Sequence, residues 1–218
     1  MVSARNSTAE EVDAVIVGAG AAGSLFAARL ARAGRKVVVL EAGPAWALSD
    51  LTSSQIWARR LKWGGPPVVH AAGQPSFSHN LNAGWGLGGA ALHHYGTWPR
   101  LPEVAHRMRS RFGKGADWPF DADTLAPWYD KVQADVGVSG DAEAEPWRPP
   151  GAPYPLAPLP EFAQGQQLRQ GFEALGLDVA PLPAAILTEP FKGRLPCQFD
   201  GWCDAGCPIG ALANPLVT

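Results

Sequence analysis

Six residues constrain this chain more than any others: Gly18-Ala19-Gly20-Ala21-Ala22-Gly23, set between two short apolar runs. Ahead of them, residues 12–17 (VDAVIV) read as a buried strand. Behind them, residues 21–33 are rich in Ala and Leu with no breaker after Gly23, which predicts a helix ended by Gly34. Residues 37–40 (VVVL) predict a second buried strand. Two apolar strands flanking one helix within about thirty residues form a βαβ unit with parallel strands. The expected fold class is therefore α/β, with a Rossmann-like unit at its start.

Each glycine of the fingerprint has its own task. Gly18 makes the tight strand-to-helix turn, Gly20 lets the backbone approach a pyrophosphate, and Gly23 lets helix and strand pack closely. The helix mouth at Ala21 and Ala22 offers free N–H groups and a partial positive charge to a diphosphate. Glu41 closes the second strand, 18 residues after Gly23. A carboxylate there accepts hydrogen bonds from ribose hydroxyls and repels a 2′-phosphate, which disfavours NADP. The same unit serves NAD and FAD, and its spacing does not choose between them.

Further along, glycines recur at 64, 65, 73, 84, 86, 88, 89 and 96, interleaved with Trp85 and His93 and preceded by Trp63. This reads as a long functional loop with little regular structure. Residues 123–136 carry apolar side chains at helical spacing, with Asp123 as the expected N-cap, Pro127 in the first turn and Gly137 past the end. Residues 146–160 hold seven prolines and read as an extended connector. A helix is expected over 161–175 and the start of a strand over 177–179. The chain thus divides into a nucleotide-binding region (1–145), the connector (146–160) and a helix-plus-cysteine segment (161–218).

Of the 218 residues, 46% are hydrophobic and 17% charged, enough for a packed core in one domain or two small ones. Net charge is −2 with no basic stripe, which argues against nucleic acid as a partner. No apolar run approaches the ~20 residues of a membrane span. The first eleven residues lack a signal-peptide core, so the chain itself implies a cytoplasmic protein unless a partner exports it. Cys197, Cys203 and Cys207 fall within eleven residues; an odd, tight set is a poor disulfide framework and suggests ligands. His70, His79 and His106 show no ligand spacing and read as surface or loop residues.

Two stretches resemble the glucose–methanol–choline (GMC) oxidoreductases: Val37–Pro44 (VVVLEAGP) and Trp85-Gly-Leu-Gly-Gly-Ala-Ala-Leu-His-His-Tyr-Gly96. The second is similar to that family's second glycine-rich motif, which lies along the flavin. The resemblance implies FAD held by Gly18, Gly20, Ala21, Ala22, Gly23, Glu41, Ala42, Trp85, Gly86, Gly88, Gly89, Ala90 and His93. Family members often carry Ser or Thr where this chain has Ala90 and Ala91. In some a histidine at the position of His93 is bonded covalently to the flavin; a packing or hydrogen-bonding histidine is the alternative.

The segment CQFDGWCDAGCPIGA, with Asp117-Trp-Pro and Gly137-Val-Ser-Gly, resembles the branch containing glucose and gluconate dehydrogenase catalytic subunits. The resemblance implies a [3Fe–4S] cluster on Cys197, Cys203 and Cys207. It also implies a sugar or alcohol substrate, a small export or chaperone subunit, a cytochrome c acceptor, and a periplasmic or membrane-associated location through such a partner. The family's catalytic base is a histidine of the C-terminal half, and nothing here matches it. The expectation is the N-terminal, cofactor-binding part of a longer enzyme, inactive alone. Two alternatives stand beside it: an NAD-dependent reductase, and a truncated chain without activity.

Overall fold

The computed structural model describes residues 11–52, 54, 56 and 84–218. Trp63, the glycines at 64, 65 and 73, His70 and His79 lie outside the described residues.

Strand β1 (Ala14–Val17) pairs in parallel with β2 (Val37–Leu40), Ala14 opposite Val37 and Val17 opposite Leu40. Helix α1 (Ala21–Arg32) joins them and packs on the Ile16 face, where Gly23 meets the Ile16 side chain. Gly34, in a left-handed conformation, ends α1 by donating to the Ala31 carbonyl. β1 is shorter than the expected 12–17. Asp13 turns its carboxylate onto the Lys36 amide at 2.7 Å and so belongs to the loop contact rather than the strand. The sheet face opposite α1 carries Val15, Val17, Val38 and Leu40 in register, and all four are exposed, Val17 at 85%.

Two short helices, α2 (Glu103–His106) and α3 (Met108–Phe112), lead into α4 (Ala122–Val136). The N-cap of α4 is Asp121, not Asp123: its carboxylate accepts from the Thr124 amide at 2.9 Å and hydroxyl at 2.7 Å. Pro127 accordingly sits in the second turn, inside the helix, rather than in the first. Gly137 closes α4 with a left-handed φ of 80°. Helix α5 (Ala163–Ala174) stops at Gly176. Residues 177–179 are irregular rather than a strand; they lie at the surface with no neighbouring strand to pair with among the described residues.

The core is organised around a buried strip, residues 183–187. Ala184 exchanges hydrogen bonds with Ser139 at 2.8 and 2.9 Å, and the Ala185 amide donates to Gly96 at 2.7 Å. On the other side the Ala213 amide donates to Ala185 and the Leu187 amide to Ala211. The proline-rich segment reaches this core. Leu156 pairs with residues 138–140, and Tyr154 is buried with its hydroxyl donating to Glu145 at 2.6 Å. Burial, then the Glu145 hydrogen bond and charge, push the Tyr154 hydroxyl up to about 12. Gly140 makes room, since a Cβ there would lie 2.5 Å from the Tyr154 ring.

Arg100, 4% exposed, ties three segments together. Its guanidinium donates to Pro150 O at 3.0 Å, to Gln133 Oε1 at 2.6 Å and to the Asp130 carboxylate. Burial alone would raise the Asp130 carboxyl; the hydrogen bonds from Arg100 and the Ala152 amide, with the charges of Arg100 and Arg148, more than offset it. Breaking a buried ion pair on one side costs about 3–5 kcal/mol, and the partial exposure of Asp130 discounts this. Arg100→Met is therefore expected to destabilise the protein by about 2–4 kcal/mol in urea unfolding. A loss below about 0.5 kcal/mol, the scale of a surface pair, would show that Arg100 is not the tie described here.

Candidate functional site

The glycine fingerprint forms the turn its sequence requires. Gly18 takes φ +90° and donates its N–H to Leu40 O at 2.7 Å, which binds the turn to the end of β2. At Gly23 a Cβ would lie 2.0 Å from Gly18 O, so only glycine lets α1 approach the turn. At Gly20 a Cβ would meet nothing within 4 Å, leaving open space over the helix mouth. Ala21 and Ala22 are exposed there, and the first turn of α1 has neither a side-chain cap nor an acidic residue. Such a helix end presents unsatisfied N–H groups and a positive partial charge to an anion.

Glu41 binds this turn to two further segments. Its carboxylate accepts from the amides of Ala19 (2.8 Å), Gly43 (2.9 Å) and Gly86 (3.2 Å). The hydrogen bonds from Ala19 and Gly43, with those of Gly86 and Ala42, hold its carboxyl below the usual range despite some burial. A carboxylate has about four lone-pair sites, so these amides account for most of what Glu41 can accept.

The second glycine motif docks directly on the first. Gly88 donates to Ala19 O at 2.9 Å and Leu87 to Pro44 O at 2.9 Å. The Trp46 indole donates to Trp85 O at 2.7 Å. Gly86, Gly88 and Gly89 all take positive φ, and residues 89–92 form one 3₁₀ turn. A Cβ on Gly89 would come within 3.2 Å of Gly20 Cα, which puts the two loops edge to edge. Thus Gly18, Gly20, Gly23, Glu41, Gly86, Gly88 and Gly89 converge. Ala42 and Ala90 are exposed beside them, Trp85 is half-buried, and His93 is buried.

Sequence reasoning passed over Ala19 and Gly43. Ala19 is 3% exposed; its amide donates to the Glu41 carboxylate and its carbonyl accepts from Gly88 of the second glycine loop. A Cβ on Gly43 would lie 2.2 Å from the Gly86 amide, and a glycine two residues after Glu41 was the available signal. His94 accepts from the Gly96 amide on Nδ1 (3.1 Å), so its Nε2 carries the proton and donates to Ala213 O at 2.8 Å. Both ring nitrogens are used in holding the chain together. His106 is not a surface residue: it is fully buried in α2, edge-on to Trp118.

The three cysteines are free and line one cleft with Ile186, Gly206 and Leu212. Burial raises the Cys203 thiol to about 11, and the charges of Cys197 and Cys207 add to it. Burial also raises Cys197, against the Phe199 amide that donates to its sulfur at 3.3 Å. Among the described residues, no three His, Cys, Asp or Glu side chains converge closely enough for one metal ion. Cys203 is reached through a loop in which Phe199 and Gly201 take positive φ, and the cleft closes to about 10 Å³.

A family model described as FAD dependent oxidoreductase matches residues 13–148. The chain is 28% identical over 93% of its length to the fructose dehydrogenase large subunit of Gluconobacter japonicus, covering 41% of that protein. It is 28% identical to the gluconate 2-dehydrogenase flavoprotein of Pantoea cypripedii, over 95% of this chain and 42% of that one. It is 31% identical to an uncharacterised GMC-type oxidoreductase of Mycobacterium tuberculosis, over 97% of this chain and 29% of that one. The chain spans about two fifths or less of the length of these relatives. No helix among the described residues is long and apolar enough to cross a membrane.

Because the Glu41 carboxyl is depressed in the folded state, its contribution is complete above the ordinary carboxylate value. That contribution is lost as pH falls through the folded value. Glu41→Gln should therefore cost about 1 kcal/mol near neutral pH, a charged hydrogen-bond set discounted for solvent exposure. Thermal melts of both proteins across pH should converge in acid. A gap that widens as pH falls would contradict the assignment.

Proposed function

The chain belongs to the FAD dependent oxidoreductase family, and we propose on that premise that it is the cofactor-holding part of a GMC-type dehydrogenase acting on the CH–OH group of a sugar or alcohol. The observation that carries this is the docking of the second glycine loop onto the first through Ala19 and Glu41. An NAD site needs only the βαβ unit, so the second loop favours FAD over an NAD-dependent reductase. Relatives named for fructose and gluconate dehydrogenation support the substrate class.

Ala21 and Ala22 would donate their amides to the diphosphate, with Gly18, Gly20 and Gly23 keeping side chains away from it. Glu41 would meet the adenosine ribose hydroxyls at the end of β2, sharing its oxygens between them and the loop amides. Gly86, Gly88, Gly89 and Ala90 would follow the flavin with Trp85, Ala42 and His93 around it. Bound FAD would accept hydride from the carbinol carbon while a base takes the hydroxyl proton. His94 is a poor base, because both its nitrogens are already used within the fold. The GMC resemblance supplies the base from a C-terminal histidine that no residue of this sequence matches, so this polypeptide by itself is expected to turn over no alcohol.

The thiol cleft is assigned to a [3Fe–4S] cluster on Cys197, Cys203 and Cys207. The assignment rests on the resemblance of the cysteine spacing: the three thiols share one cleft, but it holds only about 10 Å³ and, among the described residues, no three metal-ligating side chains converge on one ion. Cationic iron would reverse the upward displacement of the thiols. Electrons would leave to an external acceptor of the cytochrome c type, with a small partner subunit and a periplasmic or membrane-associated setting.

Gly20→Ala separates binding from folding. Its backbone, at φ −73°, accepts alanine, and the added methyl meets no protein atom. The variant should melt like the parent yet bind FAD about tenfold or more weakly, a loss of at least ~1.4 kcal/mol. Equal FAD affinity would remove the diphosphate from this turn. Purified protein should also show flavin absorbance with a broad iron–sulfur shoulder. One equivalent of zinc without iron would reject the cluster, and a spectrum without flavin bands would reject the FAD reading.

A further inference from the structure

Residues 107–118 (RMRSRFGKGADW) hold four of the chain's 18 Lys and Arg residues against one acid, in a chain whose net charge is −2. The same segment contains Met108, Phe112 and Trp118. Apolar side chains set among excess cations suit a surface that is anionic outside and apolar beneath.

The fold turns this segment into a projection with a closed neck. Arg107 and Asp117 form an antiparallel bridge, and the Trp118 amide donates to His106 O at 2.9 Å. Trp118 lies edge-on to the fully buried His106, with 6.1 Å between ring centres, which anchors the neck on a buried side chain. Between those ends lie α3, closed by Gly113, and a second left-handed residue at Gly115. A Cβ on either glycine would meet nothing within 4 Å, and every residue from 108 to 119 is exposed. A loop whose ends are already tied has less freedom left to lose on binding.

The acids beside the projection are occupied at its base. Asp117 accepts from the Ser110 amide at 3.0 Å, and Asp121 caps α4. Glu103 pairs with Arg107 at 3.5 Å and accepts from the Ala122 amide at 3.1 Å. Arg109, Arg111 and Lys114 make no ion pair among the described residues. Phe112 stands between them 57% exposed, with Trp118 at 48%.

We infer that residues 107–118 are a contact site for an anionic lipid bilayer: Phe112 and Met108 enter the headgroup layer while Arg109, Arg111 and Lys114 meet its phosphates. Size favours a bilayer over a protein partner. A stable protein interface uses about 20–30 residues on each side, more than this projection holds. Lipid association instead grows with each cation and each apolar side chain that reaches the surface. Trp118 at the neck is of a type that settles at headgroup level, and the long cationic stems reach phosphate while their methylenes stay in apolar contact. The inference does not depend on the cofactor reading.

The test sediments the protein with vesicles of phosphatidylcholine and with vesicles of phosphatidylcholine mixed with phosphatidylglycerol. Parent protein should bind the anionic vesicles only, and release in about 0.5 M salt, where screening is nearly complete beyond a few ångströms. Phe112→Ser should weaken binding about tenfold. Arg109→Gln with Arg111→Gln should weaken it about 25-fold, at about fivefold for each cation. Arg32→Gln, a loss of charge on α1, should leave it within about twofold. Trypsin reads the parent alone, so a variant that fails to fold does not prevent a decision. Cleavage after Arg109, Arg111 or Lys114 should be rapid in solution and suppressed by anionic vesicles. A projection that resists trypsin without lipid is already covered in the protein, and that result overturns the inference. So does parent protein that ignores anionic vesicles, or binding that survives the substitutions at 109, 111 and 112. Retention on immobilised polyglutamate without vesicle binding would assign the projection to an acidic protein partner instead.

Discussion

One carboxylate holds the candidate cofactor region in shape. Glu41 takes amides from the first glycine turn, from Gly43 two residues further along its own loop, and from the second glycine loop. Those three N–H groups belong to backbone with almost no side chains to hold it, in segments where φ is positive at Gly18, Gly86, Gly88 and Gly89. Glycine-rich chain loses more conformational freedom on ordering than any other. A charged acceptor shared by three such segments offsets that loss where apolar packing cannot. Both oxygens of the residue that shapes the site are engaged in that framework.

The strip at 183–187 does for the remainder what Glu41 does for the loops. It is bonded to Gly96 on the glycine-loop side, to Ser139 after α4, and to residues 211 and 213 after the cysteines. Segments far apart in sequence are brought within one residue of each other by backbone pairing, although none forms an extended sheet. Ile186 and Leu212, which line the thiol cleft, also lie against Gly96. Lys192 and Arg194 extend this frame. On a turn with Lys192 and Gly193 both at positive φ, they donate to the carbonyls that end α4. Cations at a helix C-terminus are stabilising there.

The βαβ unit was legible because strand, glycines, helix, strand and acid each have a short-range cause, and the residue 18–41 stretch contains all of them. Helix ends marked by Gly34, Gly137 and Gly176 were legible for the same reason. The cap of α4 was misread by two residues because Asp121 and Asp123 are equally good caps locally, and only the Thr124 contact separates them. His106 was misplaced because its burial depends on Trp118, twelve residues away and outside any periodic pattern. The residue 183–187 strip carried no strand signal, since its pairing is isolated bridges to distant segments. The triple use of Glu41 was likewise invisible: spacing suggested a ribose ligand, and the amides it holds are chosen by tertiary approach.

The valine-rich face of the β1–β2 pair has a consequence for how the polypeptide behaves outside its finished fold. Parallel sheets are ordinarily covered on both faces. Here Val15, Val17, Val38 and Leu40 form a cohesive strip beside a strand with an unpaired edge among the described residues. That combination is adhesive towards other copies of itself. The colloidal lifetime of the polypeptide should therefore depend on concentration and on how quickly this strip is capped during synthesis. Yield in the cell then becomes a kinetic contest between capping and clumping rather than a measure of how well the cofactor turn is made.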